Sequence, residues 1–571
     1  MPEPVVVGLS ALHHDSAACV FRGGRLVAAA EEERFSRRKH QGGIPAQAFR
    51  ACLAEAGVTV DAVDVAAVGL DPVALADRRA AFGLAGSDAD LERELRRVLG
   101  VEAPIEFVPH HEAHAASAFL VSPLPAAAVL VVDGVGDWAT TSISVGRGTE
   151  LTELDRVEFP HSIGLFYATV TQWLGFRVNH DEYKVMGLAA WAPSDGVSGV
   201  ALDALVPVVD RDSFELDLEY FAFLAGERMY SDRFVEVFGP PRTADRPIED
   251  HHVAVAGAAQ RLLERRVLGL ARRARRLTGS PRLCVAGGVM LNAVANGKLA
   301  ASGIFDRVWF QPVAGDAGTA LGAAAKVAAD RTGARPEALT DLRLGPAAGT
   351  LDPHALRDAL PQATVADHRD GEAALVSAVA DLVANGAIVA WCHGPMEFGP
   401  RALGARSLLA DPREASTRDR INAIVKERER WRPLAPMVGA WVAADLFEST
   451  RPLPFMIEAV RARRPDALGA VVHVDGTSRP QTVDPTTMGR VGALLRAVED
   501  RLGVAALVNT SFNHASEPIV TTAAEAALSA VRLGVDAEVI EDLLITDLPR
   551  SLGDQVGAWQ ARPSAPPIDD L

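Results

Sequence analysis

Short apolar runs rich in β-branched residues open the chain and predict a unit of three strands. A polar loop at residues 13–15 separates the first strand from the second, and a Gly23-Gly24 turn precedes the third. The three predicted strands are Val5–Leu9, Ser16–Phe21 and Arg25–Ala30.

The same pattern returns further along the chain. Strand Ala128–Val132 is followed by the loop Asp133–Asp137, by strand Thr140–Val145 and by a glycine turn at residues 146–148. Two units of one shape predict a duplicated α/β domain, which would hold its ligand in the cleft between its halves.

Apolar residues recur at helical spacing over residues 250–278 and 317–331, and a strand is predicted between them at Arg282–Ala286. From residue 331 to 371 the periodicity weakens and Pro, Gly, Asp and Arg dominate. We therefore predict a domain boundary there, which gives domains 1–345 and 346–571.

Beyond that boundary the pattern predicts a helix at Glu372–Asn385 and a strand at Ile388–Trp391. The last dozen residues are rich in proline and are expected to form a loose tail. The whole chain is thus expected to be an α/β protein.

Composition narrows the class of protein. The chain has 571 residues, which is too long for one hydrophobic core, and it has no apolar run of the ~20 residues that a membrane span needs. The four cysteines are far apart and the start resembles no signal peptide, so we expect a cytoplasmic protein without membrane partners. A formal net charge of −17 disfavours nucleic acid as a partner.

The His110–His114 segment places two imidazoles four residues apart, on one face of a predicted helix. His110 and His114 can share one metal ion, and Asp316, in a glycine-flanked turn at a helix start, is the best third ligand. The alternatives are a surface or capping histidine cluster and a helix N-cap at Asp316.

Two glycine-rich loops predict phosphate contacts, because small residues let backbone N–H groups approach phosphate oxygens. One contains Gly134 and Gly136, and the other contains Gly287 and Gly288 and ends at Asn292. Either loop can instead be only a tight turn after a strand.

The densest polar cluster lies in the C-terminal third. It comprises the Arg401 region, the basic stretch Lys426–Pro433 and the segment Asn509–Asn513, which is predicted to follow a strand at Ala505–Val508. Arginine and lysine suit phosphate oxygens. The basic stretch can also be a solvated helix of paired charges, and Asn509–Asn513 can be a satisfied turn.

Nine segments of the chain, which occur in the same order as in that family, resemble the O-carbamoyltransferases of antibiotic and nodulation-factor biosynthesis, the NodU/CmcH type. They span almost the whole chain and are 14–17, 31–40, 110–114, 182–189, 286–292, 315–318, 396–412, 431–436 and 509–513. One departure is at residues 393–397, where an arginine of the family pattern is missing.

The resemblance implies an N-terminal actin-like ATPase (ASKHA) domain and a C-terminal YrdC-like domain. The C-terminal domain would make carbamoyl-adenylate from carbamoyl phosphate and ATP with Mg²⁺, and the N-terminal domain would use Fe²⁺ or another divalent metal at His110, His114 and Asp316. The residues implied to hold carbamoyl phosphate and ATP are Arg401, Lys426, Arg432, Asn509 and Ser511.

By the same resemblance the carbamoyl group goes to a hydroxyl of a small secondary metabolite, as in antibiotic biosynthesis. Lys39 would steady the adenylate phosphate, and His14, Asp15 or Asp137 would orient the hydroxyl or take its proton. His14 can equally be a structural hydrogen-bond donor and Asp15 a turn former.

Three rival functions stay open. They are an actin-like small-molecule kinase, a threonylcarbamoyl-type tRNA modification enzyme and a metal-dependent binding protein without catalysis. The kinase hypothesis leaves the histidine pair and the C-terminal domain unexplained, and the negative charge disfavours the tRNA enzyme. The acceptor and the oligomeric state, a homodimer included, are left open.

Overall fold

The structure is a computed structural model that describes residues 3–12, 14–83, 90–193, 202–224, 226 and 228–549, with the backbone but not the side chain of Ile424. His13 of the predicted polar loop and the predicted C-terminal tail lie outside this part of the chain.

The first sheet has five strands, and it forms because short runs of valine, alanine and other apolar residues are buried on both faces. Three strands form an antiparallel meander, and the other two run parallel to the first of them. In the spatial order β3-β2-β1-β4-β5, the strands are β1 (Val5–Ser10), β2 (Ala17–Arg22), β3 (Arg25–Glu31), β4 (Val65–Val68) and β5 (Ile105–Phe107).

The second sheet repeats this topology. Its meander is again antiparallel, and its last two strands again run parallel to the first. In the order β8-β7-β6-β11-β12, the strands are β6 (Ala126–Val132), β7 (Ala139–Arg147), β8 (Glu150–Glu158), β11 (Arg282–Ala286) and β12 (Arg307–Phe310); a small hairpin, β9 (Val208–Val209) and β10 (Ser213–Phe214), stands apart. The predicted duplication is confirmed by this shared strand order.

Helices cover both sheets. Two of them, α5 and α11, pack in the apolar layer between the sheets, while α2 and α4 cover the outer face of the first sheet and α6 and α9 that of the second. The helices of this half are α1 (Glu33–Ser36), α2 (Ala46–Glu55), α3 (Pro72–Ala81), α4 (Leu91–Leu99), α5 (His110–Phe119), α6 (Ile163–Trp173), α7 (Glu182–Ala189), α8 (Asp232–Phe238), α9 (Asp250–Thr278), α10 (Ala293–Ala301) and α11 (Ala317–Thr332).

The C-terminal half is built on one mixed sheet of eight strands. Its spatial order is β14-β24-β23-β15-β17-β22-β18-β21, with two short pairs beside it, β13 with β16 and β19 with β20. The strands are β13 (Arg343–Ala347), β14 (Thr364–Asp367), β15 (Val389–Cys392), β16 (Pro395–Glu397), β17 (Arg406–Ala410), β18 (Ala435–Gly439), β19 (Val460–Arg461), β20 (Thr477–Ser478), β21 (Gln481–Val483), β22 (Ala506–Ser511), β23 (Ala537–Ile540) and β24 (Leu543–Thr546).

Helices also cover both faces of this sheet. Helices α13 and α16 pack on one face, and α12 and α17 pack on the other. The helices of this half are α12 (Pro353–Ala359), α13 (Glu372–Ala384), α14 (Ala415–Arg420), α15 (Ala443–Leu446), α16 (Gly489–Leu502) and α17 (Ala523–Leu533). The α/β class predicted from the sequence is confirmed in both halves.

The strand β13 contains the predicted division between residues 345 and 346 and pairs with β16 of the C-terminal half. The two halves also meet at β3 and α1, where Glu31 accepts the N–H of Gly399 and the buried Arg34 donates to the Gly399 carbonyl at 2.6 Å. The division into domains 1–345 and 346–571 stays a prediction. No helix in the described residues has the length and apolarity needed to cross a bilayer.

Candidate active site

Two histidines and two aspartates converge between the two N-terminal sheets. The first two turns of α5 carry the histidines, one aspartate directly precedes α11, and the other directly follows β6. They are His110, His114, Asp133 and Asp316, and at most 6% of each residue is exposed. We call this group the His–Asp centre.

Close packing of two helices produces this convergence. A β-carbon at Gly322 of α11 would lie 1.7 Å from the backbone oxygen of Ala113 on α5, so only glycine lets the helices approach this far. Asp316 precedes α11, but its side chain makes no capping hydrogen bond. The N-cap alternative for Asp316 is therefore wrong, and its carboxylate faces the histidines instead.

The four side chains point at one volume. The Nε2 atoms of His110 and His114 are 3.1 Å apart, and His110 Nε2 lies 3.2 Å from Asp133 Oδ2 and 3.6 Å from Asp316 Oδ1. His114 Nε2 is 3.7 Å from both carboxylates. The alternative of a surface histidine cluster is wrong, because both imidazoles are buried.

Charge compensates burial in the His–Asp centre. Burial lowers the pKa of His110, but its hydrogen bond to Asp133 and the nearby carboxylates outweigh that effect and raise the pKa to about 9. Burial raises the pKa of Asp133 and Asp316, yet the histidines around them bring both below the usual range. Opposite charges thus stabilise each other here.

The donor set fits a divalent metal ion. One nitrogen from each histidine and one oxygen from each aspartate all lie within 4.8 Å of one another. Imidazole and carboxylate together suit iron, manganese or zinc. Sequence reasoning missed Asp133 as a ligand; the available signal was its place directly after a buried strand in the repeated unit.

His14 and Asp15 reach this centre from the equivalent loop of the first repeat. His14 Nδ1 lies 2.9 Å from Asp15 Oδ2, and its Nε2 lies 3.8 Å from Asp316 Oδ2. Burial lowers the pKa of His14, but Asp316 and Asp15 raise it to about 10. Asp15 has a φ of 60°, as a turn residue can, and its second oxygen binds His40 Nδ1 at 2.7 Å.

Asp137 lies at the edge of the centre. Its Oδ2 accepts the N–H of His110 at 2.7 Å, and its Oδ1 accepts the N–H of Asp71 at 3.1 Å. Both oxygens are therefore used to hold the start of α5 and the loop before α3.

The glycine-rich loops surround Asp133. Gly288 donates its N–H to Asp133 Oδ1 at 2.8 Å, and Gly136 packs on the His110 ring, where a β-carbon would lie 2.8 Å from Cδ2. Gly287 has a φ of 97° and lies against the Val132 carbonyl.

The remaining two residues of these loops differ in their surroundings. Gly134 faces open space, since nothing lies within 4 Å of the position of a β-carbon there. The Asn292 side chain is engaged, because it caps α10 through the N–H of Ala295 and binds Gln260.

The C-terminal half holds a second buried site of opposite character. Lys426 is 2% exposed, and its Nζ donates to the Ser511 carbonyl at 2.6 Å and lies 3.1 Å from both Ser511 Oγ and Asn513 Oδ1. Burial, followed by the charges of Arg428, Lys39 and Arg432, places the pKa of Lys426 well below its usual range. Its partners are neutral oxygens, so its charge is not balanced.

Arg428 and Arg432 lie near Lys426, Arg479 lies near both of these arginines, and Arg401 lies near Arg479. We call the five residues the cation cluster: Arg401, Lys426, Arg428, Arg432 and Arg479. Burial lowers the pKa of Arg401 to about 10, and burial with the charge of Arg432 lowers that of Arg428 to about 9. Arg432 lies 3.7 Å from Glu429. For the other four cations of the cluster, no carboxylate of a described residue lies within 4 Å.

The basic stretch is not the solvated helix considered above. A π-helical turn at Ile421–Val425 ends the regular structure, and Lys426 follows it without a further helix. Sequence reasoning gave pairing with the neighbouring glutamates as one alternative for the basic stretch, but the Nε of Arg428 binds Asn422 Oδ1 at 2.8 Å. It also missed Arg479, which no local motif marks.

Asn509 and Ser511 lie inside β22, so the prediction that they follow the strand was wrong; antiparallel pairing with β17 continues through Ser511. The Asn509 amide donates to the Ala402 carbonyl at 3.1 Å and to Gln481 Oε1 at 2.9 Å. Ser511 therefore contacts Lys426 directly, whereas Asn509 supports the loop before β17.

Lys39 brings the N-terminal half to the cation cluster. Its Nζ donates to the Ala515 carbonyl at 2.8 Å, and burial, together with the charges of Arg432 and Arg177, lowers its pKa to about 8. The Arg432 guanidinium also lies over the Tyr183 ring, 4.7 Å from its centre. Side chains of the N-terminal half thus border the cation cluster.

Comparisons with known proteins give one consistent result. The family description "Carbamoyltransferase N-terminus" matches residues 5–74 and 90–325, and "Carbamoyltransferase C-terminus" matches residues 380–547.

Curated relatives agree with the family matches. The nodulation protein NolNO of Sinorhizobium fredii is 37% identical over 93% of this chain and 79% of its own. The nodulation protein NolO of Bradyrhizobium diazoefficiens is 40% identical over 81% of this chain and 82% of its own. The 3'-hydroxymethylcephem-O-carbamoyltransferase of Amycolatopsis lactamdurans is 35% identical over 46% of this chain and 48% of its own.

Proposed function

The chain belongs to the carbamoyltransferase family and is therefore a transferase enzyme, and we propose that it is an ATP-dependent O-carbamoyltransferase acting on a small molecule. In the C-terminal half, water first cleaves carbamoyl phosphate to carbamate and phosphate. The carbamate oxygen then attacks the α-phosphorus of ATP, which gives carbamoyl-adenylate and releases pyrophosphate. The acceptor hydroxyl then attacks the carbamoyl carbon in the N-terminal half, and AMP leaves.

The cation cluster is the observation that carries this proposal. The cluster holds five buried or half-buried cations and has few carboxylates nearby. Their mutual repulsion makes this arrangement costly in free energy unless a polyanion binds. ATP and carbamoyl phosphate supply that charge, and arginine forks match phosphate oxygens. Lys426 binds a phosphate oxygen in this scheme, with Ser511 orienting its ammonium group.

Lys39 connects the two steps. Its ammonium group reaches the cation cluster from the N-terminal half, so it can hold the adenylate phosphate while the carbamoyl group faces the His–Asp centre. We assign it that role. This role explains why Lys39 donates a hydrogen bond to a carbonyl of the C-terminal half and has no carboxylate within 4 Å among the described residues.

His110, His114, Asp133 and Asp316 would hold the divalent metal, iron by the family resemblance. When bound, such an ion supplies Lewis-acid polarisation of the carbamoyl oxygen, which offsets the electron donation of the carbamate nitrogen. His14 is held by Asp15 at the rim of the centre and is our candidate to orient the acceptor hydroxyl.

The acceptor is proposed to be a secondary metabolite with a free hydroxyl. Support comes from the relative named for a hydroxymethylcephem substrate and from the nodulation relatives, which cover most of this chain. A role in antibiotic biosynthesis belongs to the same proposal.

The decisive experiment uses the purified full chain, prepared without oxygen, with ATP and carbamoyl phosphate. Pyrophosphate and carbamoyl-adenylate are measured by enzymatic assay and mass spectrometry before any acceptor is added. We expect pyrophosphate only when both substrates are present. Formation of ADP upon addition of alcohols, without a need for carbamoyl phosphate, would favour the kinase hypothesis. Carbamoylation of a tRNA rather than an alcohol would favour the tRNA enzyme.

A further inference from the structure

An arginine beside the proposed transfer site forms no ion pair with any described residue, and the Asp137 carboxylate acts on it only at longer range. Arg78 on α3 is 7% exposed, and its Nε makes no hydrogen bond. Within the described residues no carboxylate lies within 4 Å of its guanidinium group. A buried cation without a counter-ion is costly, and such a group is retained most readily where a ligand completes it.

Aromatic rings form a wall next to Arg78. The guanidinium group lies over the Phe159 ring, 5.4 Å from its centre. Phe82 meets Phe159 edge to face at 4.7 Å and Trp138 at 6.3 Å, and Phe223 lies 6.2 Å from Phe159. These four rings are only partly buried, so part of the wall faces solvent.

This wall is linked to the His–Asp centre through the loop that follows β6. Trp138 directly follows Asp137, which holds the start of α5, and the same loop begins at Asp133. The Phe159 N–H donates to the Trp138 carbonyl at 2.9 Å. Asp71 caps α3, the helix that carries Arg78, and its own N–H binds Asp137.

We propose that Arg78 and the wall formed by Phe82, Trp138, Phe159 and Phe223 bind the acceptor, and that this acceptor joins a flat or apolar body to a carboxylate. The inference rests on the proposed function, because it names the substrate class of that same transfer site. One guanidinium balances one negative charge, which favours a carboxylate over a phosphate monoester. A polycationic acceptor would be repelled.

The test is equilibrium binding, so it needs no turnover. Ligand-observed NMR titrations of the full chain use four matched probes: 4-(hydroxymethyl)benzoate, its methyl ester, 4-(hydroxymethyl)benzylamine and 4-(hydroxymethyl)phenyl phosphate. We expect the carboxylate to bind at least roughly tenfold more tightly than the ester and the amine. Tighter binding of the amine or the phosphate, or no binding of the carboxylate up to about 10 mM, would overturn the proposal.

Single substitutions separate the contribution of the Arg78 charge to binding from that of the aromatic wall. Arg78→Gln should weaken carboxylate binding about 10- to 100-fold and leave the ester within about twofold, while Trp138→Leu should weaken both. Arg93→Gln, an exposed arginine of α4, is the control. Equal losses for ester and carboxylate in Arg78→Gln contradict the proposal.

Arg78→Lys guards against misfolding of the glutamine variant, since it keeps the charge and should retain most of the carboxylate preference. Loss of that preference in a folded Arg78→Lys protein that still binds the ester would also count against the carboxylate. Pyrophosphate formation without acceptor is measured in parallel. If the wild-type chain makes none, the proposed function fails, while the binding result still decides the acceptor inference.

Discussion

The His–Asp centre and the cation cluster are both buried and charged, yet they are balanced in opposite ways. In the centre, His110 and Asp133 carry charges of opposite sign. Asp133 raises the pKa of His110 and His110 lowers the pKa of Asp133, so each favours the ionised form of the other. In the cluster, Lys426 and Arg428 carry the same sign; Arg428 lowers the pKa of Lys426, and Arg432 lowers the pKa of both. The first group is stabilised by its own members, whereas the second needs an anionic ligand.

The two sites also differ in the backbone that holds them. The centre lies on the starts of α5 and α11 and the end of β6, where regular hydrogen bonding holds each residue in place. The cluster depends on the irregular chain after the π-helical turn and on β22. We therefore expect ligand binding to stabilise the cluster, whereas the centre is organised in advance.

The largest expected effect comes from removing one cation of the cluster. Lys426→Ala should lower pyrophosphate formation from ATP and carbamoyl phosphate about 1,000-fold, because the ammonium group stabilises developing phosphate charge. Its metal content should not change. Arg430→Ala, an exposed neighbour, is the control. A Lys426→Ala protein with normal pyrophosphate formation and lost metal would reverse our assignment of the two sites.

The matching change in the centre should separate the two half-reactions. His114→Ala should weaken metal binding at least about 100-fold, because it removes a ligand that no neighbour replaces. Metal content is measured by mass spectrometry, and carbamoyl transfer should fall with it while pyrophosphate formation stays within about threefold of wild type. Glu112→Gln on the same helix is the control. Retained metal in His114→Ala would contradict the assigned ligand set.

Glu538 provides a third buried ionisable group, against which the two sites can be judged. Its carboxyl group is fully buried on β23 with neither oxygen hydrogen-bonded, and burial raises its pKa well above the usual range. In the unfolded chain this carboxyl group ionises at a lower pH than in the folded protein. The free energy of unfolding therefore falls as the pH rises above the pKa of the unfolded chain.

Glu538→Gln should therefore raise the free energy of unfolding at pH 8 by about 1–3 kcal/mol and flatten its pH dependence. Urea unfolding at several pH values measures this, with the exposed Glu448→Gln as control. A Glu538→Gln protein that is less stable at pH 8 would show that the carboxylate has a function in the fold.

The smallest expected effect concerns protons. Lys39 has a pKa of about 8, lowered by burial and by Arg432, so it is partly neutral at pH 8 in the free protein. Pyrophosphate binding favours the ammonium form, and we expect an uptake of about half a proton from this residue. Calorimetry in two buffers of different ionisation enthalpy measures it. Lys39→Arg should reduce the uptake, and proton release at pH 8 would contradict the expectation.

Local patterns predicted most of the fold. The periodicity over 250–278 matches α9, and the predicted strand Arg282–Ala286 matches β11 to the residue. The duplication was visible as two similar strand–loop–strand patterns, which became equivalent sheets. These features depend on hydrogen bonds and side-chain spacing within a few residues, which is why a single sequence reveals them.

The sequence by itself also determined the histidine pair, since His110 and His114 lie one helical turn apart wherever α5 packs. Only the tertiary structure decided that Asp133 joins them, that Asp137 holds the start of α5, and that Arg479 lies beside Arg428. Those partners are far apart in the chain, and no short pattern relates them. The packing of α5 against α11, and of one half against the other, brings them together.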